Sequence, residues 1–145
     1  MMYQLSEMQA ALMPAPEPDV LGKDTRGQLS EAALRGFFRI MELWSVKDID
    51  ARVLLGGVSN GPYYAWKRQP PRLLDADMLM RISYLVGIFD ALNVIYGEKL
   101  ADDWMRLPNG NRVFGGETPL AVMMQGGIPA MLMVRRLLDA RVAGA

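Results

Sequence analysis

YGEKLADDWMRLPNGNRVFGGETPLAVMMQGGIPAMLMVRRLL, residues 96–138, is the stretch whose reading decides the rest. It falls into three parts. Residues 98–105 read as a short helix with Leu100, Ala101 and Trp104 on one face. A turn-rich link, LPNGNRVFGGETP, follows. Asn109-Gly110 and Gly115-Gly116 are turn dipeptides, because glycine reaches positive φ at little steric cost. Period-2 alternation is nearly absent, so no sheet is expected beyond, at most, a two-stranded scrap around Arg112 to Phe114. Thr118 and Pro119 supply a helix N-cap and first helical residue. Two apolar helical runs, 119–125 and 128–141, are then split by Gly126-Gly127.

Composition narrows the classes around that stretch. With 51% apolar and 22% charged residues, the 145-residue chain suits one compact domain, or two small helical subdomains sharing a core. The formal net charge is zero, so any attraction to nucleic acid must come from a local basic patch. There is no cysteine, which excludes disulfides and thiolate metal sites. There is no histidine, which removes the commonest general base and metal ligand. Phosphate-binding and dinucleotide glycine loops, zinc-protease helices and nucleophile elbows are all missing. A binding protein with no cofactor and no metal is expected, not an enzyme. The opening MMYQLSEMQAALM has no basic region and carries Glu7, which argues against a signal peptide. The longest apolar run, Leu120 to Val134, is interrupted by Gln125, the glycine pair and Pro129, too broken to span a bilayer. The expectation is a soluble, cytoplasmic chain. Its twelve methionines suit either core filler or an adaptable binding surface.

Upstream, residues 1–29 read as a leader. Leu5 to Met13 suit a short helix, and Pro14, Pro16 and Pro18 with Glu17 and Asp19 make an extended acidic spacer. Ser30 is an expected N-cap that opens the folded part, with Ala33, Leu34, Phe37, Phe38, Ile40, Met41 and Trp44 at helical spacing. Ser45 and Asp48 make a capping pattern for a second helix, 46–55, with Ile49, Val53 and Leu54 on its buried side. Gly56-Gly57 stops it. Ser59 caps a third helix that Pro70-Pro71 ends, with Tyr63 and Trp66 facing inward. A long, mostly apolar helix covers 73–96. It runs from Leu74 and Met78 to Leu92 and Ile95, is widened by Leu79, Val86 and Val94, and is closed by Gly97. Asp75 and Asp77 sit at its positive end as caps. Asp102 and Asp103 read as solvated charges, since neighbours on a helix point about 100° apart.

The second and third helices have the outline of a helix-turn-helix, and GVSNGPYYAWKR, residues 57–68, resembles the recognition half of Xre/Cro-type domains. In that arrangement Ser59, Asn60, Gly61, Tyr64, Lys67 and Arg68 face the major groove. Trp44 to Arg72 hold five basic and two acidic residues, a net of +3. Gly61 and Pro62 depart from the pattern, as reading helices usually carry longer polar side chains there. A packing unit without a nucleic-acid role fits the same three helices.

Trp104, Pro108-Asn109, Phe114-Gly115-Gly116, Pro119-Leu120, Gly126-Gly127 and Val134-Arg135-Arg136-Leu137-Leu138 stand in the order and spacing of a known pattern. It resembles the toxin-binding domain of the MbcA/ParS/Xre antitoxin family, and the likeness extends upstream to about residue 30. It implies an all-α fold: an N-terminal Xre-like helix-turn-helix bundle joined by a long helix to a small helical toxin-binding domain. The division would be 1–29 leader, 30–96 helix-turn-helix region with the connecting helix, and 97–145 toxin-binding domain. It further implies the antitoxin of a type II toxin–antitoxin pair. Such an antitoxin blocks the active site of a RES-domain toxin that degrades NAD or ADP-ribosylates. It also represses its own operon, as a homodimer within a larger toxin–antitoxin complex. Candidate toxin-facing residues are Trp104, Asn109, Phe114, Arg135, Arg136 and Arg141. Arg135 and Arg136 also suit the negative end of the last helix dipole. The competing reading is a stand-alone helix-turn-helix transcriptional regulator whose C-terminal unit only oligomerises.

Overall fold

A computed structural model describes residues 23–71 and 73–144. The proposed leader helix at 5–13 and the proline spacer lie outside the described residues, as does Arg72. Among the described residues the chain is all helical: α1 Lys23–Leu43, α2 Asp48–Leu54, α3 Asn60–Arg68, α4 Ala76–Tyr96, α5 Glu98–Trp104, a 3₁₀ turn Arg112–Phe114, and α6 Pro119–Val142.

Helix α1 begins before Ser30, which is therefore not its cap. Nothing between Lys23 and Ser30 breaks a helix, and the hydroxyl is used elsewhere. Ser30 is buried, and its Oγ accepts a hydrogen bond of 2.8 Å from the Leu74 backbone N–H at the approach to α4. A buried donor that would otherwise lack a partner is satisfied by a residue 44 positions away. Leu34, Phe37, Ile40 and Trp44 are fully buried, and Trp44 packs against Phe89 of α4 with ring centroids 6.2 Å apart.

The expected cap at Ser45 also fails. Ser45 takes a left-handed φ of 54° to turn the chain out of α1, and α2 starts later, with Lys47 at the N-cap. On this seven-residue helix the buried stripe is Ala51, Leu54 and then Leu55, while Ile49 and Val53 are 65% and 39% exposed. The stripe follows the i, i+3, i+4 rule, and Ile49 lies about 200° round the helix from Ala51. Helix α3 buries Tyr63 and partly buries Trp66, as expected.

Helix α4 is the hub, packed against α1, α5 and α6. It starts at Ala76, later than residue 73, because Asp75 is its true N-cap and accepts from the Met78 N–H at 2.8 Å. Leu79, Ile82, Leu85, Val86, Ile88, Phe89, Ala91 and Leu92 are buried, whereas Val94 is 64% exposed. By length and composition alone α4 could cross a membrane. Its buried residues point into the core on several sides instead.

Beyond α4, Leu100 of α5 is 64% exposed, so the expected face holds only for Ala101 and Trp104. Residues 112–114, the one place where the sequence allows a scrap of sheet, form a 3₁₀ turn instead, held by Asn111 accepting from the Val113 N–H. Thr118 caps α6 through a 3.1 Å bond from the Ala121 N–H. Helix α6 breaks at Gly127, with φ 64° and ψ −144°, which yields the two runs seen in the sequence. Its second half runs alongside α4 in the same direction: Gly127 lies near Arg81, Arg135 near Gly87, and Arg141 near Tyr96.

Candidate functional site

Two surfaces hold the candidate residues. The first is the α2–α3 hairpin. Gly56 and Gly57 turn the chain at φ 106° and 90°, conformations that suit residues without a Cβ. The hairpin is tied by Asp48 at the start of α2. Its carboxylate accepts from Tyr63 Oη at 2.7 Å, Lys67 Nζ at 2.8 Å and Tyr64 Oη at 3.3 Å. The Lys67 hydrogen bond, then that from Tyr63, holds the Asp48 carboxyl below the usual carboxylate range. Burial, then the Asp48 hydrogen bond, pushes the Tyr63 phenol well above its ordinary value. Lys67 also stands over the rings of Tyr63 and Phe38, 5.9 and 6.0 Å from their centroids. Beside it, Arg52 donates to the Val58 carbonyl at 2.8 Å and to Asn60 Oδ1 at 3.2 Å.

The structure thus brings Ser59, Asn60, Tyr64, Lys67 and Arg68 together as exposed residues of one helix and its cap. Asn60, Tyr64 and Lys67 are engaged within the hairpin. Between α1 and α3 lies an open groove of about 1750 Å³, with Phe38, Tyr63, Trp66, Arg39, Lys67 and Arg68 among its lining.

The second surface is the C-terminal unit. Phe114 is buried and meets Trp104 edge-on at 5.8 Å. Asn109 Oδ1 accepts from the Asn111 N–H at 2.8 Å, and the Asn109 N–H donates to the Glu117 carbonyl at 3.2 Å. These residues hold the link between α5 and α6 in shape. Arg135 reaches back across α4, where its guanidinium lies 2.6 Å from the place a Cβ on Gly87 would occupy. It sits 5.9 Å from the Tyr84 ring, donates weakly to the Ser83 carbonyl at 3.5 Å, and pairs with Asp139 at 3.6 Å. Arg141 donates to Tyr96 Oη at 3.1 Å. Arg136 points away from α4 and is exposed. Several large apolar side chains of this unit are also exposed, among them Leu100, Leu107, Val113 and Val142.

Sequence reasoning missed the residues that join the two surfaces. Arg81 is paired with Asp77 at 2.8 Å and lies 3.3 Å from a Cβ placed on Gly56 and 3.9 Å from one on Gly127. It stands where α2 ends and where the first half of α6 ends, and positive charge is favoured at both. No spacing along the chain advertises such a meeting point. The Asp48 clamp left a partial signal, since an acid followed fifteen and nineteen residues later by Tyr and Lys is visible once the two helices are drawn as a hairpin.

Asp102 departs from the expected solvated pair. Asp103 is exposed and bonded to Arg106 at 3.1 Å, but Asp102 Oδ1 is buried and has no hydrogen-bond partner. Burial, then the charges of Asp103 and Glu98, raises its carboxyl above the ordinary 3.8, with Arg39 acting the other way. A raised carboxylate pKa disfavours the charged form in the fold, a cost that disappears as pH falls below the unfolded value. Asp102→Asn is therefore expected to melt higher than the parent at pH 7, with the difference vanishing below about pH 4. Paired thermal melts across that range check it.

Helix α4 carries α1, α5 and the kinked α6, and the α2–α3 hairpin rests on α6 through α2 and on α1 through α3, which makes one all-α unit. Residues 91–144 match the family described as the antitoxin Xre/MbcA/ParS C-terminal toxin-binding domain. The chain is also similar to "Uncharacterized protein y4oB" of Sinorhizobium fredii, 36% identical over 114 residues, covering 78% of this chain and 86% of the relative. No solved structure matches. The chain belongs to the Xre/MbcA/ParS antitoxin family, and its C-terminal unit is a toxin-binding domain with a toxin as its partner.

Proposed function

We propose that this antitoxin neutralises a RES-domain toxin, one that degrades NAD or ADP-ribosylates, by covering its active site with the last helix. The observation that carries this reading is the far end of the parallel α4–α6 pair. There Tyr96 and Arg141 are bonded to each other, and Val94 and Val142 are 64% and 46% exposed. The register that puts Gly87 against Arg135 puts Val94 and Val142, each seven residues on, at the same level, so both helices contribute apolar surface to one end. An interface centred there needs no catalytic group from the antitoxin, which acts as a cytoplasmic binding protein and not as an enzyme. Arg136 is the arginine free to meet the partner, while Arg135 and Arg141 hold α6 to α4.

The test is co-expression with the product of the adjacent gene, followed by size-exclusion chromatography and an NAD-consumption assay. A stable complex in which NAD is spared supports the reading. A complex in which NAD is still consumed would rule out active-site cover.

The helix-turn-helix hairpin favours a second role beside the first, binding of operator DNA by a homodimer that represses its own operon. The exposed row Ser59, Asn60, Tyr64, Lys67 and Arg68 supports it, and a two-fold protein matches a palindromic operator. A duplex from upstream of the gene, bound more tightly than a scrambled one, is the expected result.

A further inference from the structure

Three donors of α3, the hydroxyls of Tyr63 and Tyr64 and the ammonium of Lys67, converge on one carboxylate, Asp48, at distances of 2.7, 3.3 and 2.8 Å. That convergence lies at the corner where a helix-turn-helix meets the sugar-phosphate backbone, since the first helix crosses it and the second enters the groove. Lysine and tyrosine are ordinary phosphate partners. A carboxylate presents the same anionic acceptor oxygens as a phosphodiester. We propose that Asp48 stands in for a DNA phosphate, occupying in cis the anion site formed by Tyr63, Tyr64 and Lys67 and so holding down the DNA affinity of the hairpin.

The surroundings agree with this assignment. Lys67 and Asp48 side chains are 41% and 37% exposed, so the pair is open to solvent and to an incoming phosphate. An ion pair that exposed contributes little to stability, which leaves its effect on surface charge as the larger one. Arg52, a second cation at the hairpin, is turned inward onto Val58 and Asn60. Lys47 and Arg68 remain exposed. The hairpin therefore shows DNA fewer free cations than its composition suggests, and Asp48 adds repulsion where a phosphate would lie. The inference rests on the DNA-binding role proposed above and goes beyond it by naming the residue that limits that binding.

The experiment uses the full chain and three variants, Asp48→Asn, Lys67→Met and the double variant. Each is titrated by fluorescence anisotropy against a duplex from upstream of the gene and a scrambled duplex, between 50 and 200 mM salt. Asn keeps the shape and acceptor oxygen of Asp but removes the charge. Asp48→Asn is expected to bind both duplexes about tenfold tighter at low salt, with the slope of log K against log salt steeper by about one, the signature of one further phosphate contact. Lys67→Met should erase that gain in the Asp48→Asn background, yet change the parent chain far less, since there the lysine is already neutralised. If the parent binds DNA and Asp48→Asn binds no tighter, the assignment of Asp48 is wrong. The same holds if Lys67→Met costs as much in the parent as in the variant. If no chain binds either duplex, both the DNA-binding reading and this inference fall. Thermal melts of each variant establish that the fold is intact, and Tyr64→Phe, which removes one exposed donor, gives an independent route: it should lower the affinity of Asp48→Asn by a larger factor than it lowers that of the parent, and an equal loss in both would count against the assignment.

Discussion

Gly127→Ala is expected to abolish toxin neutralisation and to cost about 1–3 kcal/mol of folding stability, the usual cost of forcing a side chain into a backbone conformation reserved for glycine. Gly127 combines φ 64° with ψ −144°, outside the left-handed helical well that asparagine tolerates, so Gly127→Asn should not rescue it. The space beside it is adequate, since Arg81 would lie at ordinary contact distance, and the penalty is therefore one of backbone strain. Its neighbour is glycine for a different reason. A Cβ on Gly126 would stand 2.6 Å from the Cβ of Ala130, a clash between groups that cannot swing aside. Relieving either strain by straightening α6 would rotate Met131, Val134 and Leu138, all fully buried, off the α4 surface. Chemical denaturation with pull-down of the toxin measures both effects. A variant with parental stability and undiminished toxin binding would show that the kink has no such role.

The second large effect is expected at Phe114. The ring is 2% exposed and lies against Trp104, so Phe114→Ala should cost about 3–5 kcal/mol by loss of buried surface and creation of a cavity. A chain of this size has roughly 5–15 kcal/mol in hand. The substitution should leave a chain that is folded at low temperature, melts early and binds toxin poorly. Phe114→Leu, which conserves more of the volume, should cost less than about 1.5 kcal/mol and keep binding. Equal behaviour of the two variants would mean that Phe114 touches the toxin directly and is not simply holding the link in shape.

Much of the fold was legible because the helices are separated by residues with strong local preferences. Gly97, Thr118-Pro119, Pro70-Pro71 and the Gly126-Gly127 break each act within a turn or so of the chain, and each stands where the sequence placed it. The errors came where a partner distant in sequence decided the outcome. Ser30 has the chemistry of a cap, but a backbone N–H 44 residues away claims its hydroxyl. Ser45 has the spacing of a capping box, but the sharp exit from α1 needs it in a left-handed turn. The site residues divide the same way. Arginines near the end of a helix look alike in a sequence, and only the packing of α6 on α4 separates Arg135 and Arg141, which grip that helix, from Arg136, which does not. Likewise Lys67 of α3 looks as free for a partner in the sequence as Arg68 beside it, and only the fold sets Asp48 against the lysine.

The position of α4 has a consequence for how such proteins can be divided and recombined. It forms a wall of the helix-turn-helix bundle and equally the bed on which α6 lies, and the matched toxin-binding region begins inside it, at residue 91. A graft that exchanged only the segment after Gly97 would set a foreign α6 against a native Gly87, where the fit of one guanidinium leaves no room for a methyl group. Chimeras that carry α4 together with α6 should fold, whereas those joined at the loop should not. The unit of inheritance for toxin choice is then larger than the toxin-binding region itself, and a change of partner must bring along half of the helix against which α1 also packs.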